Sequence, residues 1–325
     1  MQVRLLSADD VRRALPMVNA IEAMRGAFQA LHAGQVTMPT RVSLDTPDGT
    51  MLFMPAYIAG TEGLGQKVLS VFGKNVERNL PTIHALVTLY DASSGEPRAL
   101  LEGSSLTALR TGAVTGLATD LLARPDARVL TIFGAGAQAA SQIEAVCAVR
   151  PIEEVYIVTR DGSAGVLAAQ LQRRDSRRQY NLPASPDGAV WAADIIVTVT
   201  PSTTPLFDGS WVKPGTHVNA IGAYRPDMCE VDAALLQRAL VVVDQREAAL
   251  AEAGDLLIPI AARQWSMDEL YAELGALVAG AVPCPEDPQR ITLFKSCGLA
   301  IQDIAAAQAI LQVAERDNLG QIVNL

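Results

Sequence analysis

The sequence predicts an α/β protein of two domains: a Rossmann-type, doubly wound parallel sheet and a second α+β domain with a mainly antiparallel sheet. Three observations predict it. From Val129 to Asp244 apolar runs (VLTIF, VYIVTR, ADIIVTVT, THVNAIGA, ALVVVD) alternate with helical segments, the pattern of a parallel sheet covered on both faces. From Arg41 to Leu101, short β-rich runs are separated by Pro, Gly, Asp and Asn, as in an antiparallel meander. The chain of 325 residues also exceeds the roughly 250 to 300 at which single cores stop growing.

Each element follows in order. Ser7 caps a helical stretch, SADDVRRALP, which continues as MVNAIEAMRGAFQALHAG and stops at Gly34. The meander runs through RVSLDTP, GTMLFMPAYIA, GLGQKVLSVF, IHALVTLYDA and EPRALLEG. SLTALRTGAVTGLATDLLARP is helical and closes at Pro125, and the strand-helix alternation begins there. The segment ITLFKSCGLAIQDIAAAQAILQVAERDNLG reads as one long amphipathic helix returning to the first domain. These limits give a first domain of residues 1–118 plus 302–325 and a Rossmann domain of 119–301.

Composition excludes several functions. Half the residues are hydrophobic and 19% are charged, so the chain has enough apolar surface to fold. The net charge of −9 repels phosphate backbones and anionic lipid, and no Lys/Arg run offsets it, so neither nucleic acid nor a membrane is an expected partner. No apolar run reaches the roughly 18 residues of a bilayer span, and charges occupy the N-terminus where a signal peptide is apolar. A cytoplasmic location is therefore expected. The four cysteines form no CxxC pair and the three histidines stand apart, which suggests no metal site.

The cofactor signal is Gly134-Ala135-Gly136-Ala137-Gln138-Ala139, a GxGxxA string between the strand VLTIF and the helix AQAASQIEAVCAV. Gly134 permits the turn, Gly136 leaves room for a pyrophosphate, Ala139 permits close helix–strand packing, and the helix N-terminus offers its N–H groups to phosphate. The next strand ends at Thr159-Arg160, where an acid would read the ribose of NAD; an arginine there suits the 2′-phosphate of NADPH. The alternative is a solvated Arg160 with Asp161 serving the ribose one residue late. The residues expected at the cofactor are Gly134, Gly136, Ala137, Gln138, Thr159, Arg160, Thr200 and Tyr224. NADPH is the expected cofactor, with NADH or NAD as alternatives.

Three cations stand in otherwise apolar contexts: Arg41 before VSL, Lys67 in GLGQKVLSV and Arg110 in SLTALRTGAV. Each alone reads equally as a rim salt bridge or a snorkelling chain. At these residues, however, the sequence resembles the ornithine cyclodeaminase and mu-crystallin family. MPAYI, GLGQKVLSVF, LYDASSGEPRALLEGSSLTALRTGAVTGLAT, IFGAGAQA, PGTHVNAIGA and TLFKSCGLAIQD all stand in family order. The resemblance implies a homodimer whose first domain donates strands to an intersubunit sheet. It also implies that Arg41 and Arg110 hold a substrate carboxylate and that Lys67 sits beside the imine or amine carbon. Glu102 matches an acidic or polar family position and either orients these cations or forms a structural ion pair. Lys67, near two cations and partly desolvated, is expected to have a depressed pKa.

Cyclodeaminases and the alanine dehydrogenase branch carry an Asp soon after the strand matching VNAIGA, and here that position is Tyr224. The ketimine-reductase branch lacks the Asp and keeps a turn like Arg225-Pro226-Asp227. The resemblance therefore implies NADPH-dependent reduction of a small cyclic imino acid, Δ1-pyrroline-2-carboxylate or Δ1-piperideine-2-carboxylate, to L-proline or L-pipecolate. Lys67 and Arg110 are the expected catalytic residues, with Asp227 as a substitute base. The alternatives are an NAD-holding ornithine cyclodeaminase and a non-catalytic NADPH-binding protein.

Overall fold

A computed structural model describes residues 1–61 and 63–325 and divides them into two units, Met1–Thr111 with Leu299–Leu325, and Gly112–Gly298. The chain runs β1 (Gln2–Leu6), α1 (Ala8–Ala14), α2 (Met17–His32), β2 (Val36–Thr37), β3 (Val42–Thr46), β4 (Gly49–Ile58), β5 (Gly63–Val71), β6 (Ile83–Tyr90), β7 (Pro97–Glu102) and α3 (Gly103–Leu122). It continues through β8 (Val129–Phe133), α4 (Ala139–Val149), β9 (Glu154–Val158), α5 (Ser163–Arg174), β10 (Gln179–Asn181), α6 (Pro186–Ala192), β11 (Ile195–Thr198) and β12 (His217–Ala220). Then come α7 (Ala233–Arg238), β13 (Leu240–Val243), α8 (Arg246–Glu252), α9 (Gly254–Ala261), β14 (Ala272–Glu273), α10 (Leu274–Val278), β15 (Thr292–Lys295), α11 (Ala300–Arg316) and β16 (Gln321–Asn324). The units divide inside α3 and just ahead of α11, a few residues from the limits of 118 and 302 read from the sequence.

In the first unit β4, β5, β6 and β7 pair antiparallel in chain order, as the meander pattern predicts. Besides the two-residue β2, two strands of this unit escaped the sequence reading, β1 and β16. β1 precedes Ser7 and pairs parallel with β7 and antiparallel with β16, which follows the C-terminal helix. Both are short, and their partners lie at the far ends of the unit, so no local pattern announces them. Ser7 does cap α1, accepting from Asp10 N while Asp10 reaches back to Ser7 N. Pro16 separates α1 from α2, which buries Met17, Ala20, Ile21, Met24, Ala27 and Phe28 along one face.

α11 lies on the inner face of the antiparallel sheet, and the sequence of β5 lets it come close. Gly63 and Gly65 project inward on alternate positions. A Cβ at Gly65 would strike the Thr88 carbonyl and come within 2.9 Å of Ile304 Cδ1, and one at Gly63 would strike Gln308. Only glycine admits the helix at this separation.

In the second unit all strands are parallel, in the order β10-β9-β8-β11-β12-β15-β13-β14. The chain leaves β8 toward β9 and later returns to β11 on its other side, creating the switch point at which such sheets bind ligands. The expected continuous helix from Ile291 to Leu319 is corrected here. Thr292–Lys295 is β15, buried on both faces between β12 and β13, and Gly298, at φ +83°, turns the chain before α11. A run apolar on all sides is equally a central parallel strand. Among the described residues no helix is long and apolar enough to cross a membrane.

Gly65→Ala tests the close seating of α11: overpacking costs about 1 to 3 kcal/mol, so the urea midpoint of the variant falls. An unchanged midpoint would contradict the packing described.

Candidate active site

Lys67 is the next inward residue of β5 after Gly63 and Gly65, so the close approach of α11 carries its ammonium to that helix. It is 2% exposed, and its Nζ lies 2.8 Å from Oδ2 of Asp303, which has no exposed surface. The other carboxylate oxygen accepts from Arg110 Nε of α3 at 2.9 Å, and Arg110 Nη1 donates to Gln302 Oε1 at 2.6 Å. Among the described residues none accepts from Arg110 Nη2, and Gln302 Nε2 is buried without an acceptor. Arg41 joins by sheet register. Val42 lies opposite Phe53, which places Arg41 beside Met54, and Met54 is paired with Lys67.

Among the described residues Lys67 and Arg110 share the single carboxylate of Asp303, a local excess of positive charge in a chain of net −9, with Arg41 close enough to act on Lys67. Such a pocket favours an anion, and the unclaimed donors of Arg110 suit a planar carboxylate. Burial is the main influence on Lys67 and lowers its pKa; Asp303 opposes this, while Arg110 and Arg41 reinforce it. The result is a value pushed down to about 8, so the ammonium exchanges protons near neutrality.

The structure gives Glu102 another task. Its carboxylate accepts from Ser104 N at 2.7 Å and Ser105 N at 2.8 Å, closing the N-terminus of α3, and among the described residues no ion pair to it is found. Burial raises its pKa, but the bonds from Ser105 and Ser104 outweigh it and hold the group below its usual value. The orienting carboxylate is Asp303. Asp227 is likewise claimed, its two oxygens bound by Arg225 Nε at 3.1 Å and Nη2 at 3.0 Å in an exposed turn.

In the second unit the glycine-rich loop lies between the tips of two strands. Gly134 N donates to Val158 O of β9 and Val199 N donates to Phe133 O of β8, both at 2.9 Å. Gly134 has φ +110°, and a Cβ there would come within 2.6 Å of Val199 O. Nothing lies within 4 Å of a Cβ at Gly136, so the backbone is open to a ligand. Among the described residues no acceptor meets the N–H groups of Ala135 to Gln138, and Gln138 Oε1 is buried without a partner. These features fit a dinucleotide: the loop and the start of α4 would hold the pyrophosphate.

Arg160 is exposed just past β9, beside this loop. Asp161, the alternative reader of the ribose, accepts from Ser163 N at 3.1 Å and Ser163 Oγ at 2.6 Å and so is occupied at the start of α5. Thr200 and Tyr224 stand just past the carboxyl ends of β11 and β12. Sequence reasoning missed a buried group beneath them, Glu230, Asp255 and Lys295, as it missed Asp303 and Gln302. For Asp255, Lys295, Gln302 and Asp303 the available signal was a polar side chain in a mainly apolar helix or strand; Glu230 lies outside any such element and carried none.

A switch-point sheet with an open glycine loop, and in the other unit a buried cationic cluster with spare donors, define a dinucleotide-binding protein equipped to take a small anion. The family model for the ornithine cyclodeaminase/mu-crystallin family matches residues 1–318, and the chain belongs to that family. It is 39% identical to a Δ1-pyrroline-2-carboxylate reductase of Bacillus cereus, over 97% of this chain and 98% of that one. The Δ1-pyrroline-2-carboxylate reductase of Thermococcus litoralis, solved with NADH and L-proline, is 35% identical and superposes with a TM-score of 0.94, covering 99% of this chain and all of that one. An archaeal alanine dehydrogenase dimer with bound NAD is 33% identical, with a TM-score of 0.92 over the whole of both chains.

The cluster makes a direct prediction for Lys67. In protein labelled with 13C-lysine, its side-chain signal titrates near pH 8 in the wild type and lower in Asp303→Asn, because the partner that favours the charged form is lost. Titration of Lys67 near 10.5, the ordinary lysine value, would contradict the buried arrangement.

Proposed function

We propose that the protein is an NAD(P)H-dependent reductase of a small cyclic imino acid, converting Δ1-pyrroline-2-carboxylate or Δ1-piperideine-2-carboxylate to L-proline or L-pipecolate. The observation that carries this reading is the buried set Lys67, Asp303 and Arg110, which places a proton donor of lowered pKa beside a guanidinium whose Nη2 meets no acceptor among the described residues. The likeness to Δ1-pyrroline-2-carboxylate reductases supports it. Tyr224 in place of a carboxylate, and Asp227 bound to Arg225, disfavour ornithine cyclodeamination, in which water attack needs a base.

In this account Arg110, through Nη2, and Arg41 bind the substrate carboxylate and fix the imine carbon and nitrogen. Bound NAD(P)H supplies a hydride from C4 of its nicotinamide. Lys67 passes an Nζ proton to the imine nitrogen as the carbon gains the hydride, so the C=N bond becomes a secondary amine, and solvent reprotonates the lysine. Asp303 holds Nζ and the guanidinium in register throughout. In the other unit, the loop from Gly134 to Gln138 would receive the pyrophosphate, Arg160 would pair with the 2′-phosphate of NADPH, and Thr200 and Tyr224 would border the nicotinamide end.

We further propose a cytoplasmic homodimer. Val42, Phe53, Val68 and Leu86 stand in one cross-strand row on the face of the sheet opposite Lys67, and Val42 and Leu86 are exposed. A second copy would cover this apolar row, and the likeness to a dimeric alanine dehydrogenase supports it.

Steady-state oxidation of NADPH with each cyclic imine tests the reading, with ornithine as control. Turnover with an imine and none with ornithine is expected; proline formed from ornithine would instead establish the cyclodeaminase. Because Lys67 must be protonated to act, kcat falls as pH rises through about 8. General acid catalysis is worth about 10²- to 10⁴-fold, so Lys67→Met loses at least about a hundredfold in kcat while binding NADPH normally. Arg110→Ala raises KM for the imine. The wild type should prefer NADPH to NADH in kcat/KM, and Arg160→Ala should narrow the preference about tenfold, the loss of one charge-assisted hydrogen bond; equal use of both cofactors by the wild type would refute the assignment.

A further inference from the structure

Glu230 has no exposed surface, yet it gathers the loops that follow two neighbouring parallel strands. Past β11, Thr200 N and Thr200 Oγ1 donate to its Oε1 at 2.6 and 2.8 Å. Its Oε2 accepts from Thr198 Oγ1 at 2.8 Å, and past β12 from Gly222 N at 2.7 Å and Ala223 N at 3.2 Å. Three of these partners are backbone N–H groups shared between both oxygens, which suits an ionised carboxylate. Burial and the nearby Asp255 raise its pKa, and these bonds together with Lys295 oppose them. The loops meet on it without spare room: a Cβ at Gly222 would overlap the Thr200 backbone and lie 2.5 Å from Oε1.

The support beneath is also charged. Glu230 N and Val231 N donate to Asp255 Oδ1 at 2.6 and 3.1 Å, and Asp255 Oδ2 pairs with Lys295 Nζ at 2.9 Å. Lys295 in turn donates to Ala220 O at 3.2 Å and Ala223 O at 2.5 Å. Among the described residues, two buried carboxylates here share one ammonium, so ionisation of Glu230 leaves a net negative charge at the carboxyl ends of the sheet. Burying an unpaired charge is expensive, and neutral donors and acceptors hold loops at lower cost. The charge therefore calls for a use beyond holding the backbone.

We infer that Glu230 is a positioning residue that fixes residues 199–203 and 221–224 for the nicotinamide half of the cofactor, and that its negative charge favours the oxidised, cationic ring over the reduced one. The inference rests on the dinucleotide-binding reading given above. Its test is the affinity of Glu230→Gln and Glu230→Asp for NADP⁺ and NADPH, measured separately by calorimetry, with the melting temperature of each free protein. Glu230→Gln should weaken NADP⁺ about fivefold or more beyond any change for NADPH, since a unit charge acting in a partly desolvated site is worth at least that factor. Glu230→Asp keeps the charge but falls short of the two loops, so both forms should weaken together with the wild-type ratio preserved.

An unchanged ratio in folded Glu230→Gln would overturn the charge effect, and wild-type affinities in Glu230→Asp would overturn the positioning role. Should Glu230→Gln fail to fold, Thr198→Val carries the test: it deletes one bond to the carboxylate in a strand that accepts valine, and should weaken both forms. Unaltered affinity there would overturn the inference. A wild-type protein that bound neither dinucleotide would refute the cofactor reading itself, a result distinct from all of these.

Discussion

The carboxylate of Asp303 is the constraint on which the first unit's site depends. Lys67 and Arg110 are two cations in an interior that excludes water, and each alone would be costly to bury. With Asp303 between them, one oxygen faces Nζ and the other Nε, so a single acid satisfies both and sets their separation. Removing one partner of such a set typically costs about 3 to 5 kcal/mol, because the remaining charges are left uncompensated. The placement itself comes from glycine. Gly63 and Gly65 admit α11 to the face of β5, and the lysine two residues on then meets the aspartate one position before Ile304, which packs on Gly65.

The same device recurs in the second unit with the opposite charge. There Glu230 binds two loops at the carboxyl ends of parallel strands, and the pair of Asp255 and Lys295 anchors its own backbone. One unit thus presents an excess of positive charge suited to a substrate carboxylate; the other carries a buried negative charge beside the loops that would receive the nicotinamide. In both, a carboxylate fixes flexible or charged groups before any ligand arrives, so little reorganisation is left for the bound state. This preorganisation accounts for polar side chains retained in the interior where apolar packing would be more stable.

Much of this was legible in the sequence. The strand–GxGxxA–helix string announced the cofactor loop because tight turns and close packing restrict those positions to glycine and alanine. Lys67, Arg110 and Arg41 were visible as cations in apolar surroundings, but the common partner of Lys67 and Arg110 was not. Asp303 lies more than 190 positions from Arg110, and nothing local connects them. The sequence points to Glu102 as that partner because it matches an acidic or polar family position, whereas the helix N-terminus beside it has the prior claim on its oxygens. β15 was absorbed into a helix since a short run apolar on every side carries no period, and only its neighbours in the sheet decide its conformation. Tyr224 illustrates the converse: the missing carboxylate was readable in the sequence, whereas the pairing of Asp227 with Arg225 required the fold.

Reduction by this chain requires that a hydride reach the carbon of a preformed imine held by its carboxylate. The most direct measurement uses NADPH deuterated at C4 with Δ1-pyrroline-2-carboxylate in ordinary water, followed by NMR and mass spectrometry of the amino acid formed. The account predicts L-proline with one deuterium at Cα, transferred from one face of the coenzyme. Proline without deuterium at Cα, or the absence of any reduced product while the coenzyme binds, would contradict it.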